Sequence, residues 1–138
     1  MTRCLTVLRL LACWFGLVAM LVVALPGKPA LAADESPATV GEIAHLMAYI
    51  RTSNCEFLRN SAWHSPEAAH DHITKKLKYI RYRDALRDAE QFIELAATRS
   101  SMTGEIYQVR CPGVPLQDCS RWLLDELSRY RKSAAPKR

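Results

Sequence analysis

The apolar residues of the chain recur with helical spacing in four separate segments. Within each segment they lie three or four positions apart, so they fall on one side of a helix. In chain order the four stripes are Val40, Ile43, Met47 and Ile50; Ala69, Ile73, Leu77 and Ile80; Ala89, Phe92, Ile93, Ala96 and Ala97; and Leu123, Leu127 and Tyr130. This pattern predicts four amphipathic helices.

Polar residues that favour helix starts precede each stripe. Thr39 with Glu42 three residues later has the form of a capping box. Ser65-Pro66 combines a capping side chain with a proline at the first helical position. Asp88 and Ser120 stand in the same relation to the third and fourth stripes. Charged residues crowd positions 81–87, where we expect the second helix to bend or end.

Two segments have the alternation of strands instead. Residues 55–64 alternate around Asn60-Ser61, which predicts a small hairpin, and Ile106 to Arg110 predicts a further strand. Cys111-Pro112-Gly113 is expected to be irregular. The predicted fold class is therefore α+β and mostly helical, with about four helices packed on a small antiparallel sheet made of the hairpin and one strand.

The first 32 residues have the three parts of a secretory signal. Arg3 and Arg9 precede an apolar run from Leu10 to Leu25, and Ala30-Leu31-Ala32 offers small residues at the cleavage positions. This predicts cleavage between Ala32 and Ala33 and a periplasmic or secreted product. An uncleaved anchor would need about 20 apolar residues, so we expect no stable membrane span after cleavage.

The charge of the chain changes once this leader is removed. The full sequence carries a net charge of +5, and removal of Arg3, Arg9 and Lys28 leaves 16 basic against 14 acidic residues, or +2. Residues 33–38 then read as a linker, 39–131 as one globular domain and 132–138 as a basic disordered tail. Because no aromatic residue interleaves the tail, we expect no nucleic-acid partner.

Three cysteines remain after cleavage, at positions 55, 111 and 119. In an oxidising compartment two of them are expected to pair, which allows three different bridges and leaves one thiol over. A bridge from Cys55 to Cys111 would close a loop of about 57 residues and stabilise the fold by about 4 kcal/mol. A Cys111–Cys119 bridge would close a short loop and contribute less.

Several motifs resemble a bacterial family of small exported proteins, the YfeK-like family, whose function is unknown. The segments that carry the resemblance are Ser53 to Asn60, His72 to Leu77, Ala89 to Ile93, Ser100 to Gly104 with Tyr107, Arg110 to Gly113, and Trp122-Leu123. The resemblance implies export and a Cys55–Cys111 disulfide, and it implies no activity. Ser61 replaces a glycine of the family pattern. Cys119 lies outside that pattern, which leaves a Cys119-linked dimer open.

The candidate binding residues come from these polar motifs. His72 and Lys76 are one helical turn apart, and we expect them to line a polar cleft with hairpin and loop residues. The set comprises Arg59, Asn60, His72, Lys76, Glu90, Ser101 and Tyr107. The richest metal-type cluster, residues 64–72, lacks chelating spacing because His70 and His72 point about 200° apart on one helix, so no metal site or cofactor is predicted.

These residues favour a non-enzymatic binding module of the cell envelope, whose partner is an unidentified protein or envelope component. No nucleophile elbow, phosphate loop or dinucleotide fingerprint occurs in the sequence. The alternative is a small envelope hydrolase that uses His72 with Ser101 or Glu90, which requires these side chains to lie within hydrogen-bond reach of one another.

Overall fold

The computed structural model describes residues 35–135. The predicted signal peptide, its cleavage site and residues 136–138 lie outside the described residues. In chain order the elements are α1 (Pro37–Thr52), β1 (Glu56–Arg59), β2 (Ala62–His64), α2 (Pro66–Arg83), α3 (Ala89–Phe92) with a π-helical turn (Ile93–Ala97), β3 (Gln108–Cys111), β4 (Val114–Asp118) and α4 (Cys119–Ala134). The predicted α+β class is confirmed.

The sheet is antiparallel throughout, with strand order β2-β1-β3-β4. Strands β1 and β2 form the predicted hairpin, in which Arg59 pairs with Ala62. The two turn residues between them, Asn60 and Ser61, have φ angles of 50° and 61°. Two consecutive residues with positive φ are what a tight two-residue hairpin requires.

A disulfide joins Cys55 to Cys111. Cys55 precedes β1 and Cys111 ends β3, so the bridge clips the hairpin to the central strand beside it. This is the pairing that the family resemblance implies. The bridge fixes the start of β1, the strand whose last residue is Arg59.

The core lies between one face of the sheet and the helices. Its members are buried apolar side chains from every helix and from β1 and β3, among them Leu46, Phe57, Phe92, Val109 and Leu123. Trp122 packs edge-on against Phe57 and stacks on Tyr49, which ties α4 to both the sheet and α1. Burial of this continuous apolar surface is the main force that holds the helices on the sheet.

Helix α1 begins earlier than predicted, because Ser36 and not Thr39 is its cap. The Ser36 hydroxyl accepts a hydrogen bond from the Thr39 backbone N–H, and Pro37 takes the first helical position. Thr39 is buried and donates its hydroxyl hydrogen to the carbonyl of Arg87. The linker predicted for residues 33–38 therefore contains the start of the helix. Ser36-Pro37 carries the same cap-and-proline signal that correctly predicts the start of α2 at Ser65-Pro66.

The third helix keeps its predicted cap and buried stripe but changes its winding. The Asp88 carboxylate accepts a hydrogen bond from the Gln91 backbone N–H. After one α-helical turn the chain widens into the π-helical turn, and the Thr98 hydroxyl donates to the carbonyl of Ile93, five residues back. Apolar spacing alone could not predict this change, because the same residues are buried in either winding.

Strand β4 was not predicted. Its residues are mostly exposed and contain Pro115, so they lack the alternation that identifies a strand. Pro112-Gly113 turns the chain from β3 into β4, and Gly113 adopts a φ of 72°. Proline is tolerated in β4 because this strand lies at the edge of the sheet.

Helix α4 extends beyond the predicted domain. It begins at Cys119 and ends at Ala134, three residues into the segment predicted to be a disordered tail. Arg131 explains the extension, because its guanidinium bonds both Glu42 of α1 and Glu90 of α3. Within residues 35–135 no helix combines the length and the apolar character that crossing a bilayer requires.

Candidate functional site

Four polar side chains from three parts of the fold meet beside the hairpin. Arg59 ends β1, His72 and Lys76 lie one turn apart on α2, and Tyr107 precedes β3. We call these four residues the basic cluster. Arg59, His72 and Lys76 are partly buried and Tyr107 is buried, so the cluster lies at the boundary between core and solvent.

The imidazole of His72 is hydrogen-bonded through both of its nitrogens. Arg59 Nη1 lies 2.7 Å from His72 Nδ1, and Tyr107 Oη lies 3.1 Å from His72 Nε2. Because a guanidinium only donates, Nδ1 must accept and the ring proton must sit on Nε2, which donates to the Tyr107 oxygen. Arg59 and Tyr107 thus fix both the orientation and the tautomer of the ring.

The surroundings of His72 keep its imidazole neutral. Burial lowers the pKa of His72 to about 4, and the positive charges of Arg59 and Lys76 act in the same direction. Burial also lowers the pKa of Lys76 and raises the pKa of Tyr107. At neutral pH the cluster therefore holds two cations, one neutral imidazole and one neutral phenol.

Lys76 is held against the tyrosine. Its Nζ donates to the carbonyl of Arg99 at 2.9 Å and lies 5.2 Å from the centroid of the Tyr107 ring, close enough for a cation–π interaction. Within residues 35–135 no carboxylate is in ion-pair contact with Lys76 or Arg59, whereas Arg81, Arg110 and Arg129 each have one and Arg131 has two. The positive charge of the cluster is therefore uncompensated.

The loop from Thr98 to Tyr107 holds the tyrosine in place. The buried Ser100 accepts hydrogen bonds at its Oγ from the Met102 and Thr103 N–H groups and also contacts the Tyr107 phenol. The Thr103 hydroxyl donates to the side-chain oxygen of Asn60 at 3.1 Å, which joins the loop to the hairpin turn. Asn60 thus lies at the rim of the basic cluster, next to Arg59 in the chain and bonded to the loop that precedes Tyr107.

A small pocket adjoins the cluster on its apolar side. It has room of about 30 Å³ for water-sized molecules. Its walls come from β1, α2 and the core, including Leu58, Arg59, His72, Ala97 and Leu123. Such a volume suits one or two water molecules or a methyl group, whereas a drug-sized ligand needs several hundred Å³.

A family model described as "Family of unknown function (DUF5329)" matches residues 37–131. The chain belongs to this family. No curated protein and no solved structure matches the chain. The DUF5329 match covers the described fold from the start of α1 to Arg131 of α4, and it includes all residues of the basic cluster.

Five of the seven candidate residues lie together in this DUF5329 chain. Arg59, Asn60, His72, Lys76 and Tyr107 form the basic cluster and its rim. The other two have different surroundings. The Glu90 carboxylate is bonded to Arg131, and Ser101 is exposed in the loop, while its neighbour Ser100 is the serine that faces the cluster.

The hydrolase arrangement is not formed by these side chains. Both nitrogens of His72 are occupied by Arg59 and Tyr107, and neither contacts Ser101 or Glu90. The buried serine of this loop is Ser100, one position before the Ser101 of the candidate set. The periodicity of the third helix does not separate the two serines, because that helix ends at Ala97 and both serines follow it in the loop.

The region around His70 contains no metal-binding arrangement. His70 Nδ1 lies 3.4 Å from the exposed Asp71 carboxylate, while His72 is turned towards Arg59. Nowhere in the described part of the DUF5329 fold do three or more His, Cys, Asp or Glu side chains converge to hold a metal ion.

Cys119, the third cysteine, is buried and unpaired within the described fold. Its side chain is 5 % exposed, and burial raises the pKa of its thiol to about 12. A thiol in such surroundings is unreactive. The folded chain buries this thiol, so the Cys119-linked dimer that the sequence leaves open would require Cys119 to become exposed.

Proposed function

We propose that this chain is an exported, YfeK-like protein of the bacterial cell envelope that acts as a non-enzymatic binding module. Its basic cluster would bind an anionic group, a carboxylate or phosphate, of a protein or envelope component. The observation that carries the proposal is the uncompensated charge of Arg59 and Lys76 at a rigid, partly buried position.

The chemistry of the cluster suits an anion better than a cation or a neutral ligand. Arg59 has donor groups beyond the one used on His72, and a guanidinium can engage a carboxylate or phosphate through two parallel hydrogen bonds. Partial burial strengthens such an interaction relative to one at a fully exposed arginine. The neutral His72 accepts from Arg59 and leaves the guanidinium charge available to a ligand.

The disulfide and the leader support the exported part of the proposal. Stable disulfides persist in oxidising compartments outside the cytoplasm, and Cys55–Cys111 clips the strand that carries Arg59. The motifs of the YfeK-like resemblance support the location of the site. Their polar members from separate segments of the chain, namely Arg59, His72, Ser100 and Tyr107, converge on one cluster.

Calorimetric titration of the folded domain with small anions tests this function. The probes are acetate, an N-acetylated dipeptide and inorganic phosphate, each without a competing anion in the buffer. We expect saturable binding of at least one probe with a Kd of about 1 mM, which is typical of a single charge-assisted contact. Arg59→Gln should weaken it about tenfold or more.

Arg51→Gln is the matched control. Arg51 is exposed in the last turn of α1, and its replacement removes the same charge and the same side-chain type. We expect its Kd to equal that of the unmodified domain. Absence of saturable binding for every probe, or equal weakening by the two variants, would contradict the proposed site.

A further inference from the structure

A second surface of α2, separate from the basic cluster, combines exposed aromatic rings with basic side chains. Lys75, Lys78, Tyr79, Tyr82 and Arg83 lie in the C-terminal half of the helix. At 100° per residue these five positions fall within an arc of about 140°. We call them the basic–aromatic face; it is turned away from the buried stripe that contains Ile73 and Leu77.

The two tyrosines of this face are uncovered. Tyr82 is 89 % exposed and Tyr79 is 61 % exposed. The Arg83 guanidinium donates to the Tyr79 hydroxyl at 3.0 Å and lies 5.7 Å from its ring centroid, so the arginine stiffens this ring without covering it. Large apolar side chains that remain exposed together often mark an interaction surface.

The charge of this half-helix has one sign. From Ile73 to Arg83 it contains five basic and no acidic residues. Arg81 is paired with Glu35, and Lys76 points to the Arg99 carbonyl. Lys75, Lys78 and Arg83 face solvent, and no carboxylate in residues 35–135 is in ion-pair contact with them.

We infer that the basic–aromatic face docks on an anionic lipid surface. The three cations that lack an acidic partner lie on one side of the helix and complement a layer of negative headgroups. Each basic residue near such a layer adds to the binding free energy. Tyrosine is the side chain whose ring and hydroxyl suit the boundary between headgroups and acyl chains. The face is a convex helix surface, which matches a flat bilayer better than a polymer strand that needs a groove.

The charge distribution over the chain supports the same partner. From residue 33 on, the net charge is only +2, yet this one face holds three unpaired cations. The electrostatic attraction to an anionic bilayer is therefore concentrated on this face, and it would orient the domain on the membrane. It would hold α2 against the bilayer, and it uses none of the four residues of the basic cluster.

Vesicle co-sedimentation tests this inference. The protein used begins at residue 33 and contains the whole described fold with its disulfide, because the apolar leader would itself bind lipid. We expect binding to phosphatidylcholine vesicles that contain about a third phosphatidylglycerol, little binding to phosphatidylcholine alone, and loss of binding in about 0.5 M salt.

Two double variants distinguish this face from the rest of the surface. Lys75→Gln with Lys78→Gln should weaken binding to the anionic vesicles about 30-fold. Arg121→Gln with Lys132→Gln removes the same charge from exposed positions of α4 and should change binding less than about twofold. Tyr79→Ser with Tyr82→Ser should weaken binding to the vesicles without changing binding to heparin, a polyanion that has no acyl layer.

Some outcomes overturn the inference. They are no binding to anionic vesicles at low salt, equal losses in the two charge variants, or binding to single-stranded DNA or heparin without binding to vesicles. Lys75→Gln with Lys78→Gln should leave the binding of small anions at the basic cluster unchanged, because neither lysine belongs to that cluster. The lipid surface and the anion site of the proposed function can therefore fail independently.

Discussion

Single side chains determine what the basic cluster can bind. His72 separates Arg59 from Tyr107, and its neutral state depends on burial and on the nearby cations. Protonation of His72 would place a third positive charge beside Arg59 and Lys76 and would remove the acceptor that orients the guanidinium. The cluster is therefore expected to be less stable in acid.

The stability of the domain should fall between pH 6.5 and about pH 4 partly because of His72. Above pH 6.5 the imidazole is neutral in both states, so it contributes no pH dependence. Between pH 6.5 and about 4 the unfolded chain takes up a proton that the folded chain does not, so the free energy of unfolding decreases as the pH falls. Urea unfolding at a series of pH values measures this slope.

His72→Gln should flatten the slope in this window, and His70→Gln, a histidine outside the cluster, should not. The remaining slope near pH 4 belongs to carboxylates such as Glu35, whose pKa is lowered by its hydrogen bond to Arg81. If the slopes of the unmodified domain and of His72→Gln coincide between pH 6.5 and 4, the account of a buried neutral imidazole is wrong.

For single residues, the sequence predicts which side chains belong to the candidate site better than it predicts the partners that each side chain contacts. The motif positions point to Arg59, His72, Lys76 and Tyr107, which do meet. Glu90 lies in an equally good motif but bonds to Arg131, forty-one residues away in the chain. Spacing within one segment carries no information about such a distant partner, so this contact could not be predicted.

The hairpin turn between β1 and β2 contains a residue in an unfavourable backbone conformation. Ser61 has a φ of 61°, a conformation that favours glycine. A residue with a Cβ loses roughly 1 kcal/mol in the left-handed region relative to glycine. The turn forms nevertheless, because β1 is paired with both β2 and β3 and the disulfide holds the opposite end of this strand.

Ser61→Gly should therefore raise the free energy of unfolding by about 1 kcal/mol. The measurement is denaturant unfolding of the two proteins under identical conditions. Ser128→Gly is the matched control, because Ser128 is exposed in the right-handed helix α4, where glycine costs about 0.5–1 kcal/mol. Destabilisation by both substitutions would contradict the strain assigned to the turn.

The ends of helices and strands are predicted correctly where several neighbouring residues give the same capping signal. Ser65-Pro66 and Asp88 are read correctly because a cap and the following residues agree. Thr39 misleads because its capping-box pattern competes with the cap-and-proline signal of Ser36-Pro37. In the structure Ser36 is the cap, and the Thr39 hydroxyl donates to the carbonyl of Arg87. Strand β4 could not be predicted, because it is a mostly exposed edge strand and its sequence has no alternation of apolar and polar residues.

The domain as a whole owes much of its stability to one covalent link. Cys55 and Cys111 are 56 positions apart. A bridge across a loop of this length removes conformational freedom of the unfolded chain worth about 4 kcal/mol in the chain-entropy model. A domain of this size has a total stability of about 5–15 kcal/mol, so the bridge is a large share.

Reduction should lower the free energy of unfolding by about 4 kcal/mol. Cys55→Ala with Cys111→Ala should have a similar effect, and Cys119→Ala should leave the disulfide intact. Denaturant unfolding with and without a phosphine reductant measures the difference. A change below about 1 kcal/mol would mean that the core alone holds the hairpin on β3.

The intact mass of the protein isolated from its native host tests whether it is exported. Its intact mass should correspond to a chain that starts at Ala33 and lacks the two hydrogens of one disulfide. A chain with the leader attached, or with Cys55 as a free thiol, would contradict the exported state. The sequence predicts export from the pattern of its first 32 residues and from its cysteine content. It does not predict the ligand of the cluster, because motif residues indicate where a site lies and not what fills it.

Mapping the anion by ¹H–¹⁵N NMR is the most direct test of the basic cluster as a binding site. During titration with the anion that binds, we expect the largest shifts at the Arg59 side-chain N–H and at the Tyr107 and Gly104 amides, and none near Arg131. Shifts centred on the end of α4, or spread evenly over all exposed basic residues, would contradict the basic cluster as the anion-binding site.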